Sequence, residues 1–271
     1  IEVGSGIYAY IQENCATNAG FIVTEEGVLV IDSLMTPSLA GALYTAIRNI
    51  TSAPIRYLVN THFHGDHVFG NQYFLPAPIV AHSNCRIELA EKFDLNMQRY
   101  REGRPDLIPE LDQVRITLPD TVFDENMTIY LGELEIQLRY LGRAHSASDI
   151  LIHLPSEKLM FVGDILVNKT LPAFPDGHIT KWISVIKEAG QIEAETIIPG
   201  HGPIGGPIEF REAKDLLVHL DNQIRGCYAA GLPIEEAKNS IDLGDFDTFM
   251  NQDRTELITR MAYLAYAGTL Q

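Results

Sequence analysis

Long hydrophobic runs are missing from this sequence. Its continuous apolar stretches are short, as at residues 165–167, whereas a membrane-spanning helix needs ~18 apolar residues. The numbered chain begins at Ile1 and shows no basic and apolar leader pattern, although a leader can be removed before that point. We therefore expect a soluble protein without a membrane partner, either cytoplasmic or exported with its leader removed.

Cysteine is scarce as well. The chain has three, Cys15, Cys85 and Cys227, and no C-x-x-C pair. Disulfide-stabilised domains carry even sets of cysteines, and cysteine zinc knuckles carry closely spaced pairs. The sequence therefore excludes both classes and predicts three buried or half-buried thiols.

Basic side chains are few relative to acidic ones. The chain has 20 Lys and Arg against 36 Asp and Glu, which gives a net charge of −16. Such a field repels nucleic acid. The densest basic group, Arg99, Arg101 and Arg104, fits a solvated helix end. We expect a small-molecule partner and no nucleic acid, and the pattern does not indicate an oligomeric state.

What the sequence does contain is a mixture of strand and helix patterns in one unit of 271 residues. Residues 27–32 and 55–60 are continuous apolar runs typical of buried strands, and Thr36 before Pro37 indicates the start of a helix. Many strand pairs are joined by tight turns rather than by helices. This predicts an α/β fold, an αββα sandwich of two mixed sheets packed face to face with helices outside. We expect a single domain, residues 1–271, with a core of about 5–210 and a helical C-terminal tail of about 207–271.

Four residues with metal-binding side chains fall within six positions after the second of these strands: His62, His64, Asp66 and His67. In an extended chain the first three project to the same side, while His67 points elsewhere. Gly65 allows a tight bend between them. Imidazole and carboxylate groups are ordinary zinc ligands, so the segment predicts a metal site.

This segment resembles the H-x-H-x-D-H signature of the metallo-β-lactamase superfamily. Three more segments resemble that family in the same order, at residues 141–146, 161–164 and 198–202, and Asp32 also fits its layout. The resemblance implies two metal ions that share a bridging carboxylate. It assigns His62, His64 and His145 to one ion, Asp66, His67 and His201 to the other, and Asp164 to the bridge.

Two departures from the family pattern narrow the function. Arg143 stands where the third-histidine segment usually has its first, non-ligand histidine, so the metal site is preserved. Asp164 stands where lactam-cleaving branches often have cysteine or no bridging residue. An aspartate at this position is more similar to the glyoxalase, lactonase, phosphodiesterase and RNA-processing branches of the family. The basic, glycine-rich stretch of the glutathione-handling members is missing after Asp164.

These features predict a dinuclear zinc hydrolase with two Zn²⁺, with Fe or Mn as alternative metals. A zinc-bound hydroxide would cleave a small-molecule ester, lactone or cyclic amide, β-lactams included, with Asp66 orienting the nucleophile and moving its proton. Three alternatives stay open: a phosphodiesterase on the same site, a mononuclear iron oxidoreductase related to persulfide dioxygenases, and a non-catalytic metal-binding protein.

Substrate contacts are expected from the loop after Asp164, because binding residues favour loops on rigid scaffolds. The candidates are Asn168, Lys169, Phe174 and His178. Each of them is also compatible with an ordinary loop position. The metal ligands are therefore predicted in full, whereas the residues that select the substrate are not.

Overall fold

Two mixed β-sheets form the centre of the molecule in the computed structural model, which describes residues 1–14, 16–173 and 175–269. The first sheet has seven strands in sequence order, antiparallel up to the fourth and parallel from there on. Its strands are β1 (Glu2–Gly4), β2 (Ile7–Tyr10), β3 (Ala19–Thr24), β4 (Gly27–Ile31), β5 (Ile55–Val59), β6 (Ile79–His82) and β7 (Thr121–Phe123).

The second sheet has five strands in the order β12-β11-β10-β9-β8. All of its pairs are antiparallel except β11 with β12, which run parallel. Its strands are β8 (Asn126–Leu131), β9 (Leu134–Tyr140), β10 (Ile150–Leu154), β11 (Leu159–Phe161) and β12 (Thr196–Ile198).

Side-chain alternation places the two sheets face to face. In β4, Leu29 and Ile31 belong to the core between the sheets, where they meet residues such as Ile150 and Ile152 of β10. Val30, on the opposite side of β4, belongs to a separate core beneath a helix. Successive residues of a strand point to opposite faces, so a strand covered on both sides is apolar throughout. This explains the continuous hydrophobic runs of the sequence.

Helices cover both outer faces and complete the predicted αββα sandwich. Leu43 and Ile47 of α1 pack on the outer face of the first sheet, while Trp182 and Ile186 of α5 pack on that of the second. The Thr36 hydroxyl caps α1 by accepting a hydrogen bond from the backbone N–H of Leu39 at 3.3 Å. The helices are α1 (Pro37–Ile50), α2 (Gly65–Val68), α3 (Ser83–Gly103), α4 (Ile108–Leu111), α5 (Ile179–Ala189), α6 (Pro207–Ala229), α7 (Ile234–Ala237) and α8 (Thr255–Tyr266).

The C-terminal helices share the core of α5. Leu217 and Leu220 of α6 and Ile258 and Ala262 of α8 belong to the same apolar cluster as Trp182. The helical tail therefore packs against the outer side of the second sheet. Within the described residues, no helix is long and apolar enough to cross a bilayer.

Candidate metal centre

The predicted ligands come from four separate loops, each of which follows a strand. The segment His62–His67 leaves β5 and enters α2, and His145 lies between β9 and β10. Asp164 lies in a 3-10 turn after β11, and His201 follows β12. The fold brings all of them together, because the ligand atoms form three overlapping groups within 4.8 Å: His62, His64 and His145; His62, His67 and Asp164; Asp66, His67 and His201.

Three histidine nitrogens converge in the first group. His64 Nδ1 lies 3.1 Å from His62 Nε2 and 2.7 Å from His145 Nε2, and all three rings are buried. At such distances the nitrogens need either shared protons or a cation between them. The partners of the opposite ring nitrogens decide between these possibilities.

Hydrogen bonds on the outer side of His62 and His64 direct lone pairs inward. The Thr61 hydroxyl donates its one proton to Asp32 at 2.8 Å, so its oxygen accepts from His62 Nδ1–H at 3.1 Å. Asp176 likewise accepts from His64 Nε2–H at 3.1 Å. His62 Nε2 and His64 Nδ1 are then left as lone-pair donors that face a common point, as metal ligation requires.

The group of Asp66, His67 and His201, from here on the second group, is built in the same way. Asp32 Oδ2 accepts from His67 Nδ1–H at 2.7 Å, which leaves His67 Nε2 as the inward nitrogen. That atom lies 3.7 Å from Asp66 Oδ2, and His201 Nε2 lies 3.2 Å from the same oxygen. Asp32 also accepts from the backbone N–H of Thr61, so one carboxylate orients ligands of both groups.

Asp164 lies between the two groups. Its Oδ1 is 3.3 Å from His67 Nε2, and its Oδ2 is 3.2 Å from His145 Nε2 and 3.4 Å from His201 Nε2. Gly200 leaves room for this carboxylate, since a Cβ there would overlap Asp164 Oδ1. A carboxylate that faces both groups has the geometry of a bridging ligand.

The residues fit divalent metal ions. Among the described residues, His67 Nε2 and Asp164 Oδ1 are fully buried and make no hydrogen bond, which is unfavourable unless a cation compensates them. Burial lowers the pKa of His201, but Asp164 and Asp66 outweigh it and raise that pKa to about 10. The cluster thus attracts positive charge, and its nitrogen and oxygen donors suit zinc.

Asp66 has two further partners that the sequence did not reveal. The Tyr100 hydroxyl donates to Asp66 Oδ1 at 2.5 Å, and the Thr17 hydroxyl donates to Asp66 Oδ2 at 2.7 Å. Burial opposes ionisation of Asp66, but His67 and His201 hold its pKa well below the usual range. The carboxylate is therefore ionised and fixed at both oxygens.

Asp176 is the third residue that sequence reasoning missed, after Tyr100 and Thr17. Besides His64 it contacts Lys92 at 2.7 Å and Arg99 at 3.5 Å, both on α3. Burial works against its ionisation, but His64 and Lys92 lower its pKa well below the usual value. No motif marks an isolated aspartate whose partners lie about 80 to 110 residues away in the chain.

A cavity of about 910 Å³ opens onto the metal ligands. His64, Asp66, His145, Asp164 and His201 contribute to its lining. The remainder of the wall comes from the loop before β3, from the start of α1, from α3 and its following turn, from Ala173 and Pro175 in the loop after Asp164, and from the C-terminal region. The cavity is large enough for a small organic substrate.

Two of the predicted substrate-binding residues, Asn168 and His178, lie outside the described lining of this cavity. Asn168 is buried and donates to the carbonyl of Pro203 at 2.9 Å. His178 precedes α5, with Nδ1 3.2 Å from the Thr180 hydroxyl. Neither belongs to the described lining. Phe174 lies outside the described residues, and contact of any of the three with substrate stays a prediction.

The fourth, Lys169, has its charge compensated. Its Nζ lies 2.6 Å from Glu212 Oε2 and 5.4 Å from the centre of the Phe249 ring. It is not part of the described cavity lining. Its role in substrate binding likewise stays a prediction.

Known proteins resemble this chain over most of its length. The sequence profile of the metallo-beta-lactamase superfamily matches residues 13–201. A metallo-beta-lactamase type 2 from Bacteroides fragilis is 21% identical over 207 residues, 74% of this chain and 75% of that protein. A linear primary-alkylsulfatase from Pseudomonas sp. is 20% identical over 92% of this chain and 56% of its own length.

Solved structures share the fold. A metallo-beta-lactamase from Pontibacter korlensis superposes with a TM-score of 0.68 and 21% identity, over 80% of this chain and 97% of that one. A sec-alkylsulfatase from Pseudomonas sp. superposes with a TM-score of 0.79 and 18% identity, over 99% of this chain and 50% of that one. This chain thus spans about half the length of the alkylsulfatases that it matches. With the profile match over more than half of its residues, the chain belongs to the metallo-beta-lactamase superfamily.

Proposed function

We propose that this protein is a dinuclear zinc hydrolase that cleaves a small-molecule ester, lactone or cyclic amide. The observation that carries the proposal is the pair of ligand groups that meet at Asp164 and open into the cavity. A structural metal site is closed, whereas a catalytic one keeps positions for water and substrate.

Metal ions bound there would supply a water of lowered pKa and a Lewis acid for the oxygen under attack. Asp66 would orient that water and accept its proton, since this carboxylate lines the cavity with Oδ2 3.2 Å from His201 Nε2. Tyr100 and Thr17 hold the carboxylate in place during the transfer. Asp176 and Asp32 keep His64 and His67 in the tautomers that present their inward nitrogens.

The side chains that line the cavity favour a small organic substrate. Met35, Leu39, Leu107 and Leu257 line it together with polar groups. These apolar side chains would bind the hydrocarbon part of a substrate and exclude bulk water, which strengthens the electrostatic interactions near Asp66.

A hydrolysis panel on zinc-loaded protein tests the proposal. Nitrocefin, acyl lactones, aryl esters and bis-aryl phosphates are offered side by side, and bound metals are counted by plasma mass spectrometry. We expect two zinc ions per chain and turnover of an ester, lactone or lactam that stops after chelation. Turnover of the phosphate alone, one iron per chain, or no turnover at all would contradict it in favour of one of the other three functions.

Sulfate ester hydrolysis is a second candidate. The similarity to the alkylsulfatase reaches 92% of this chain, against 74% for the Bacteroides lactamase. The longer match is what favours sulfate esters as substrates. Primary and secondary decyl sulfates in the same panel test this candidate, and release of inorganic sulfate is measured.

A further inference from the structure

We infer that the C-terminal region supplies a recognition site for an anionic group of the substrate, with Arg254 as the binding residue. Arg254 lines the same cavity as the metal ligands and bonds to Leu171 rather than to any of them, so the recognised carboxylate or sulfate is separate from the group that reacts. The inference rests on the proposed function and names its substrate class: a small molecule with an apolar part and a remote negative charge.

The segment that carries Arg254 is attached to the loop that follows the bridging aspartate. Met250 forms a parallel β-bridge with Thr170: its carbonyl accepts from the Leu171 N–H at 2.9 Å, and its N–H donates to the Lys169 carbonyl at 3.1 Å. The side chain of Asn251 donates to the Thr170 hydroxyl at 2.7 Å. Asn251 and Arg254 both line the cavity. The C-terminal region is therefore part of the cavity wall, at a position fixed relative to the metal centre.

Three arginines line the cavity, and they differ in their partners. Arg99 lies 3.5 Å from Asp176, and Arg104 pairs with Asp106 at 2.8 Å. Arg254 Nη1 donates to the carbonyl oxygen of Leu171 at 2.6 Å, and no carboxylate among the described residues lies within 4 Å of its guanidinium. Arg254 is half-buried, and of these three arginines it is the one without a carboxylate partner among the described residues.

The chemistry of the guanidinium suits an anion. It carries five N–H donors in a planar fork that matches a carboxylate or sulfate. The bond to Leu171 engages one nitrogen and fixes the fork, which leaves further donors for a ligand. A preorganised arginine loses less entropy on binding and gives charge-assisted hydrogen bonds.

Apolar side chains accompany this charge. Leu257 lies three residues after Arg254 on the same face and lines the cavity, as do Met35, Leu39 and Leu107 from the first sheet's side of the molecule. A substrate that extends from the ligands to Arg254 would place its hydrocarbon part against these residues. A remote anion on an apolar chain fits such a wall better than a neutral polar molecule does.

Kinetics with a matched pair of esters test the site. Four zinc-loaded proteins are assayed with 4-nitrophenyl hemiglutarate and 4-nitrophenyl butyrate: the wild type, Arg254→Gln, Arg254→Lys and the control Arg56→Gln. Arg56 is exposed, donates to the carbonyl of Glu26 and is not part of the described cavity lining. We expect Arg254→Gln to raise KM for the anionic ester by roughly 10- to 100-fold, the range for a hydrogen bond to a charged group. The KM for the neutral ester and the zinc content should stay unchanged, Arg254→Lys should recover part of the effect, and Arg56→Gln should match the wild type.

Binding of 1-decanesulfonate, measured by calorimetry on the same four proteins, separates this inference from the proposed function. The sulfonate is inert to hydrolysis, so its dissociation constant should rise in Arg254→Gln even if no ester is cleaved. Sulfonate affinity that is equal in all four proteins would overturn the inference, as would equal changes in KM for both esters. If the sulfonate result holds and no ester, lactone or lactam of the hydrolysis panel is cleaved either, the proposed function is wrong and the anion site stands.

Discussion

The metal cluster and the cavity wall differ in how firmly their side chains are held. In the cluster, ligands are held by outer partners: Asp32 for His67, Thr61 for His62 and Asp176 for His64. In the wall, side chains such as Arg254 and Leu257 are half-exposed and come from segments outside the 13–201 family match. Shared chemistry needs ligand atoms fixed within fractions of an ångström, whereas substrate choice only needs a complementary surface. The ligands therefore lie within the 13–201 family match, whereas Arg254 and Leu257 of the wall lie beyond it.

Asp164→Asn gives the sharpest test of this contrast. The substitution keeps the shape but removes the negative charge that faces His67, His145 and His201. We expect zinc affinity to fall by more than about 100-fold, beyond the 10- to 100-fold that loss of an outer partner causes, and turnover to fall with it. Chelator competition and metal analysis measure the effect, and Arg254→Gln should keep its full metal content. An Asp164→Asn protein with two tightly bound ions would remove the distinction between the two regions.

Asp176→Ala should have the next largest effect. It takes away the acceptor that fixes the tautomer of His64, together with the anchor of Lys92 on α3. We expect the zinc affinity of Asp176→Ala to fall by about 10- to 100-fold. The affinity of Asp176→Asn should fall less, because its side chain can still accept a hydrogen bond from His64. Asp106→Ala, which removes an exposed ion-pair partner of Arg104, serves as the control. If all three variants bind zinc like the wild type, the outer partners do not set the ligand geometry.

The same contrast explains what the sequence could predict. His62, His64, Asp66 and His67 are readable because one short segment after a strand carries them all. Strand and helix patterns predict the sandwich, since residues covered on both faces must be apolar. Asp176, Tyr100 and Thr17 are not readable, because single polar residues gain their roles only when α3 and distant loops fold over Asp66 and His64. Arg254 is unreadable for the same reason, as its importance depends on which carboxylates are absent around it.

Tyr100→Phe should lower kcat without loss of metal. Tyr100 reaches Asp66 from α3, a helix of the cavity wall, so this contact joins the two regions. Loss of a hydrogen bond to a charged acceptor corresponds to about 1.5–3 kcal/mol, and we expect kcat to fall roughly tenfold or more with little change in KM. Tyr228→Phe, at a tyrosine of α6 packed against α8, is the matched control. A drop in zinc content instead would mean that Tyr100 supports the ligand rather than the reaction.

Asp149 gives the smallest expected effect, on stability rather than on chemistry. It is buried behind the His145 loop and accepts from the Ser146 backbone N–H at 2.7 Å and from the Ser146 hydroxyl at 2.9 Å. Burial raises its pKa to about 7, against the opposing effect of these bonds. An unfolded aspartate has a pKa of about 3.9, so between that pH and 7 the folded protein holds a proton that the unfolded chain has lost.

The stabilising contribution of protonated Asp149 is therefore complete below about pH 4 and disappears as pH rises towards 7. Asp149→Asn carries no charge in either state. The free energy of unfolding of Asp149→Asn, minus that of the wild type, should thus increase by about 3 kcal/mol between pH 5 and pH 8. Urea denaturation of both proteins in EDTA measures this difference. The histidines of the metal centre titrate in both proteins, so their contributions cancel to first order. A difference that is the same at both pH values would mean that Asp149 is ionised in the fold, and the support of the His145 loop would then depend on charge rather than on burial.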